Sequence, residues 1–426
     1  MITIEDGKIT NYDELIGRIE ELISGVIFNK LPAFVRKKIG KDLKTLKDIL
    51  LKSRLPKIAI IGRTQSGKSS LINCIFGEKV CETGSGIKPQ TEGCKWHPFK
   101  SSHGELEILD SRGIIDDTTN TSIKESKAEK EFFNAIDNES PDIIIYLHKA
   151  REFATLVDKE LNIIKKMLKK VEKKNRAEVP VVGVISYIDV MFSRSDPWPP
   201  IEHYQMIEID AQKNAFSEKI TRISKDTNLL SIFPVSTLNY YDIDGSINYK
   251  RSNNWGVESL VKYLVINLPE EAQLKMAIAT RINSTLNNFA NKVITIFSTL
   301  SGAIGLQPIP LADLPILTSL QLTLIITVAY IGKGRISIDD AKDFLVALGA
   351  NVGIGFGMRE LARALLKLIP VAGNAGSAAI AAASTYAIGK AAAAYFIDGV
   401  SIKDVKNIFK KNNVISKGEK FEIKEK

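Results

Sequence analysis

The pattern of apolar and polar positions changes character twice along the chain, near residue 57 and near residue 270. Residues 11–52 follow the helical period. Leu15, Ile19, Leu22, Ile23 and Val26 recur at helical spacing, as do Ile39, Leu43, Leu46 and Leu50. Pro32 separates the two runs and has no amide to donate, so a helical hairpin is predicted. Its apolar stripes need a partner, elsewhere in this chain or on a second copy.

From Lys57 to about Leu268 short apolar runs alternate with helical stretches, which implies a largely parallel sheet. Strands are predicted over 57–61 (KIAII), 105–109 (ELEIL), 143–147 (IIIYL), 181–185 (VVGVI) and 232–235 (IFPV). Several are continuous apolar runs, as in strands covered on both faces. A further strand, 93–99, reaches 105–109 through the polar turn Lys100-Ser-Ser-His-Gly104 and reads as an antiparallel hairpin. Beyond Glu270 the chain becomes rich in Ala, Gly and Leu, and four or five helices are predicted, ending near Lys411. Ser337 with Asp340 three residues later forms a capping-box-like helix start. Gly349, Gly353, Gly355 and Gly357 mark a break before a helix at 358–369. The predicted class is thus α/β: a helical segment at 1–54, a mostly parallel α/β domain at 55–270, an all-α domain at 271–411 and a flexible tail at 412–426.

Composition narrows this picture. With 44% apolar and 25% charged residues over 426 positions, a sizeable core is available and gross disorder is excluded. The net charge of +9 is clustered: Lys165, Lys166, Lys169, Lys170, Lys173, Lys174 and Arg176 crowd one predicted helix. Such runs are first of all solvated faces, and second a contact for anionic lipid or RNA. Cys74, Cys81 and Cys94 are odd in number and form no C-x-x-C pair, which fits a reducing compartment without structural disulfides or a zinc knuckle. The acidic start, Met1-Ile-Thr-Ile-Glu-Asp6, lacks the order of a signal peptide. The expected location is the cytoplasm, with peripheral contact to the inner membrane as its extension. His97, His103, His148 and His203 show no metal-ligand spacing.

The strongest chemical signal is G-x-x-x-x-G-K-S at Gly62-Arg-Thr-Gln-Ser-Gly-Lys-Ser69, between an apolar strand and the helical run that begins at Ser69. In this P-loop, glycines let backbone amides turn inward around phosphates, and the helix N-terminus adds partial positive charge. Gly62, Arg63, Thr64, Gln65, Ser66, Gly67 and Ser70 are candidate nucleotide-binding positions, Lys68 should reach the β- and γ-phosphates, and the Ser69 hydroxyl should sit on magnesium. Asp110-Ser-Arg-Gly113 ends a strand beside this loop. Asp110 can hold Mg2+, and the Gly113 amide can meet the γ-phosphate. Thr91, in the Gly-containing loop Gly84–Thr91, can give its hydroxyl to magnesium and its amide to the γ-phosphate. Lys68, Thr91 and Gly113 are therefore the candidate catalytic residues, and Ser69, Thr91 and Asp110 the metal ligands. At the end of the next strand but one, Asp189 of Ser186-Tyr-Ile-Asp189 can accept two hydrogen bonds from guanine, a donor pair that adenine lacks. Ser236, after strand 232–235, can support the base from the other side.

This order of motifs resembles the translation-factor-related class of small GTPases over residues 57–268. Through Gly67-Lys-Ser-Ser-Leu-Ile-Asn73 and the hairpin before Asp110, it resembles the Era/TrmE-like branch most. The overall plan is also similar to dynamin-like and immunity-related GTPases. The resemblance implies a G domain with GTP and GDP as ligands and Mg2+ as cofactor. Four positions depart from the family pattern. Ser186 and Tyr187 replace the Asn/Thr-Lys of the usual base-reading motif, so the lysine that lies along the base and braces the phosphate loop is missing; Tyr187 stacked on guanine is the expected substitute. Gln65 stands where an Asn helps bind potassium, which weighs against K+ as a second cofactor. Ile114 stands where a Ras-like protein places its water-orienting Gln. Hydrolysis is therefore expected to be slow unless a partner, or a homodimer through the G domain, completes the site. Arg63 and Arg112 are candidate sources of positive charge, or ordinary loop residues.

Pro308-Ile-Pro-Leu-Ala-Asp313, Gln321, Tyr330, Gly332 and Gly373-Asn-Ala-Gly376 resemble a bacterial helical domain of unknown function that follows Era-like G domains. Residues 293–312, 314–332 and 368–389 are uncharged and long enough to span a bilayer. Pro308 and Pro310, the polar Thr318, Gln321, Thr323 and Thr327, and the small residues of the third stretch favour a buried bundle. The leading expectation is a GTP-driven switch acting on this helical domain. The alternative is a GTP-regulated protein that associates with a membrane surface. A ribosome- or RNA-associated GTPase ranks lower, because no RNA-binding motif follows the G domain and nucleic acid is not an expected partner.

Overall fold

A computed structural model describes residues 33–82, 95–110, 127–152, 158–175, 179–193, 195–200, 202–223, 229–248, 250–305, 314–335, 338–348 and 377–412, together with Gly17. In chain order its elements are α1 (Ala33–Leu51), β1 (Lys57–Ile61), α2 (Lys68–Phe76), β2 (Trp96–Lys100), β3 (Glu105–Asp110), α3 (Lys127–Asn138), β4 (Ile143–Lys149), α4 (Asp158–Asn175), β5 (Val181–Ser186), a 3-10 turn (Ile188–Met191), α5 (His203–Ile223) and β6 (Leu229–Pro234). Helices α6 (Val257–Asn267), α7 (Glu270–Thr280), α8 (Asn283–Gly305), α9 (Leu314–Lys333), α10 (Ile338–Leu348), α11 (Ser377–Phe396) and α12 (Ile402–Asn412) follow. The chain divides into two compact units, Arg54–Arg281 and Met1–Ser53 with Ile282–Lys426.

The first unit is built on one mixed sheet in the order β2-β3-β1-β4-β5-β6. Only β2 runs antiparallel, pairing Trp96 with Leu109. The central strands carry apolar residues at every position and bury both faces, from Ile58 to Ile61, Ile143 to Leu147 and Val181 to Ile185. On one face Phe132 and Ile136 of α3, Ile163 and Met167 of α4, and Phe216 and Ile220 of α5 join Ala59, Ile61 and Tyr146 in one cluster. Because β1, β3, β4, β5 and β6 are parallel, their C-terminal ends share one edge. The chain leaves β1 for β3 on one side and later reaches β4 on the other, so that edge contains a topological switch point at β1, where such sheets bind ligands.

The strands occupy the predicted places with shifted ends. β6 starts three residues before the predicted 232 and stops at Pro234, which an edge strand tolerates because one side needs no amide donor. β2 starts at Trp96, and β4 runs on to Lys149.

In the second unit α8 packs on α11 and α9, and α12 packs on α11 and α10. α1 lies against α8 and buries Leu46, Ile49 and Leu50, which supplies the partner its apolar stripe requires. A polar seam crosses three helices: Gln321 Nε2 donates to Thr385 Oγ1 at 3.0 Å, and Thr385 Oγ1 donates to Ser301 Oγ at 2.9 Å. All three side chains are buried. Among the described residues no helix is long and apolar enough to cross a membrane. The first arm of the N-terminal hairpin apart from Gly17, Ser337, the glycine break, the helix at 358–369 and residues 413–426 lie outside the described residues.

Candidate functional site

The site begins where β1 ends. Gly62 leaves the sheet so close to β4 that a Cβ there would lie 2.7 Å from the Leu147 carbonyl oxygen and 2.8 Å from Ser66 Oγ. The chain then turns through a Ser66 N–H donated to Arg63 O (3.2 Å), with Gln65 and Gly67 in the left-handed region at φ 62° and 94°. α2 opens at Lys68 with no side-chain cap hydrogen bond at Gly67, and a helix N-terminus of this kind suits an anion. Lys68 is 7% exposed, and its Nζ donates to Gly62 O at 2.7 Å and Arg63 O at 2.8 Å. The ammonium is thereby held inside the loop it would serve. Ser66 Oγ is buried without a hydrogen-bond partner among the described residues, as suits a hydroxyl lining a polyanion site. Ser69 and Ser70 are half-buried on the first turn of α2, while Thr64 and Gln65 are exposed.

β3 brings Asp110 alongside Ile60, one strand over from the loop. The Asp110 side chain, Thr91 with its loop, Arg112, Gly113 and Ile114 lie outside the described residues. Among the described residues no cluster of three His, Cys, Asp or Glu could hold a metal. The approach to the Thr91 loop is fixed by Asn73, a residue whose role the sequence did not reveal. Its Oδ1 accepts from the Val80 and Cys81 amides, both at 2.9 Å, and its Nδ2 donates to Cys81 O at 2.8 Å.

The other half of the site stands at the ends of β5 and β6. Ser186 is fully buried, and its Oγ reaches Ser66 O at 2.8 Å and His148 O at 3.2 Å. His148 itself is enclosed between β4 and α5, stacked on Phe216, and burial pushes its imidazole down to about 4. It is a neutral packing residue at neutral pH. Asp189 sits half-exposed in the 3-10 turn, and the Ile188 amide donates to Val235 O at 3.3 Å, which brings the two strand ends together. Ser236 is clamped by reciprocal backbone bonds to Trp255, both 3.0 Å, and its Oγ is buried without a hydrogen-bond partner among the described residues. Between them runs a strap, residues 237–255, tied back to α2 where Asn239 Nδ2 meets Cys74 Sγ at 2.9 Å. Burial pushes the Cys74 thiol up to about 12, so it is an inert packing group.

Tyr187, the expected stacking partner of the base, stands beside the phosphate loop. Its ring edge is against the phosphate loop, with Cε2 at 3.4 Å from where a Cβ on Gly67 would be, and Oη at 3.4 Å from Gln65 O.

Residues 57–185 match the family described as 50S ribosome-binding GTPase, and residues 270–414 match the family described as Domain of unknown function (DUF697). The chain thus joins a P-loop G domain of GTPase type to a helical region of unknown function. It is similar to the solved structure of Toc33 from Arabidopsis thaliana in complex with Mg2+ and GMPPNP, at 14% identity over 60% of this chain and 97% of that one, with a TM-score of 0.33. It is also similar to a variant of Aquifex aeolicus Era bound to GDP·AlF4−, at 19% identity over 60% of this chain and 70% of that one, with a TM-score of 0.32. A third is the G domain of the T. maritima FeoB iron transporter, at 16% identity over 50% and 99%, with a TM-score of 0.26.

Proposed function

We propose that this chain binds GTP, hydrolyses it slowly on its own, and uses the difference between its GTP and GDP forms as a switch on its helical region. One observation carries the reading: a buried lysine and an uncapped helix start meet inside a tight loop at the switch point of a parallel sheet. The backbone amides that open α2 and the Lys68 ammonium bind the β- and γ-phosphates. Ser69, Asp110 and Thr91 are the residues that would hold Mg2+, which when bound neutralises charge developing on the phosphates. Thr91 and the Gly113 amide take the γ-phosphate, so they distinguish the GTP form from the GDP form. Asp189 accepts the two guanine donors, and Ser236 supports the base from the other side. Ile114 supplies no group to orient water, so a partner or a second copy meeting the G domain accelerates hydrolysis. Gly67–Asn73 keeps the Era/TrmE-like branch as the finer kinship.

Exchanging the Asp189 carboxylate for an amide tests the base assignment. Asp189→Asn should lose about ten- to a hundredfold in GTP affinity, the worth of one or two charge-assisted hydrogen bonds. It should gain affinity for xanthosine triphosphate, whose base offers an acceptor where guanine offers a donor. Titration calorimetry with both nucleotides reads the change, and an unaltered preference for GTP sinks the role of Asp189.

A further inference from the structure

We infer that Tyr187 and Lys149 together replace the lysine that the base-reading motif lacks, Tyr187 as a brace on the phosphate loop and Lys149 as the charge. The inference rests on the GTP-binding reading above and assigns two positioning residues within it.

Tyr187 is in the left-handed region at φ 58°, an uncommon conformation for a bulky side chain, and such strain persists only where the surroundings fix it. Here two loop contacts fix it. Its ring edge lies against Gly67, and its Oη donates a long hydrogen bond, 3.4 Å, to Gln65 O. Burial, with Asp189 and Glu152 nearby, raises the phenol above its ordinary range, so the hydroxyl keeps its proton and remains a donor. The preceding Ser186 Oγ holds the next carbonyl, Ser66 O, at 2.8 Å. In a trans peptide the C=O and N–H point opposite ways. Drawing the Ser66 carbonyl outward toward Ser186 therefore aims the Gly67 amide into the loop, where a phosphate oxygen would lie. Ser186 thus sets the direction of a phosphate-binding amide that it does not itself carry, and Tyr187 steadies the carbonyl before it.

The missing positive charge comes from a different strand. Lys149 ends β4 in register with Ser186, and its Nζ stands 5.6 Å from the centroid of the Tyr187 ring, within range of a cation–π contact. Glu152 at 3.6 Å helps to hold it there. A ring edge against the loop with a cation over the ring supplies, from two residues, the loop brace and the ammonium of one lysine.

The full chain and four variants, Tyr187→Ala, Tyr187→Phe, Tyr187→Lys and Lys149→Met, are titrated with GDP and melted without nucleotide. Tyr187→Ala should bind GDP about tenfold more weakly, and Tyr187→Phe and Lys149→Met about two- to fivefold, the scale of a lost hydrogen bond or cation–π contact. Tyr187→Lys, which restores the motif's lysine, should return GDP affinity to the parent value, a rescue that a merely packing role does not give. Parental affinity in Tyr187→Ala, or no rescue by Tyr187→Lys, overturns the inference. Should Tyr187→Ala melt early, Lys149→Met and Tyr187→Phe decide the matter, because neither removes the ring; unchanged affinity in both overturns it. A parent chain that binds no GDP contradicts the GTP-binding reading itself, whereas a parent that binds with all four variants equal to it contradicts only the brace.

Discussion

Lys68→Ala is expected to weaken GTP and GDP binding by about a hundred- to several-thousandfold while the chain stays folded. The side chain is 7% exposed and its ammonium already lies within the loop, held by Gly62 O and Arg63 O. A phosphate oxygen entering the loop would meet a desolvated cation, whose attraction is far stronger than that of a solvated lysine. Removing it leaves two carbonyls with one donor fewer, a cost of about 1 kcal/mol each to the fold. Titration calorimetry with GDP reads the binding loss, and a nucleotide-free melting curve reads the fold. A variant that keeps parental affinity removes the phosphate role from residues 62–69.

Gly256→Ala is expected to be the most damaging small change in the sheet unit, at about 3 kcal/mol or more. Gly256 closes the strap and caps α6 at φ 78°, and the Leu260 amide donates to its carbonyl at 3.1 Å. A Cβ there would lie 2.2 Å from Pro234 O, a backbone atom at the end of β6 that cannot swing aside. Relief requires α6 to move away from the sheet and to lift the buried Leu260 and Leu264. Gly399→Ala is the control. Its φ of 65° imposes the same kind of backbone strain, but nothing lies within 4 Å of the added carbon, so about 1 kcal/mol is expected. Chemical denaturation of both variants measures the difference, and equal losses contradict the steric account.

The phosphate loop, the six strands and the helical character of the region after residue 270 were legible in the sequence because each rests on local pattern. A glycine-rich turn between an apolar run and a helix needs no distant partner to be recognised. The braces were not legible, because they depend on pairs far apart in the chain. Ser186 and Tyr187 read as the loss of a motif, yet they meet Ser66, Gly67 and Gln65 more than a hundred residues away. Lys149 carried no signal at all, since only strand register places it beside Ser186. Asn73 belonged to the quoted motif, but the pattern alone does not say that its amide pins Val80 and Cys81. The ends of β6 were misplaced because Ile232-Phe-Pro-Val235 reads as one apolar run, whereas the strand starts at Leu229 and ends at Pro234.

The central claim, a guanine-specific phosphate grip, is tested most directly by titrating the unmodified chain with GTP and with ATP in the presence of Mg2+. The account predicts saturable GTP binding and affinity for ATP lower by about a hundredfold or more, since Asp189 finds its paired donors only on guanine. Equal affinity for the two nucleotides, or binding of neither, contradicts it.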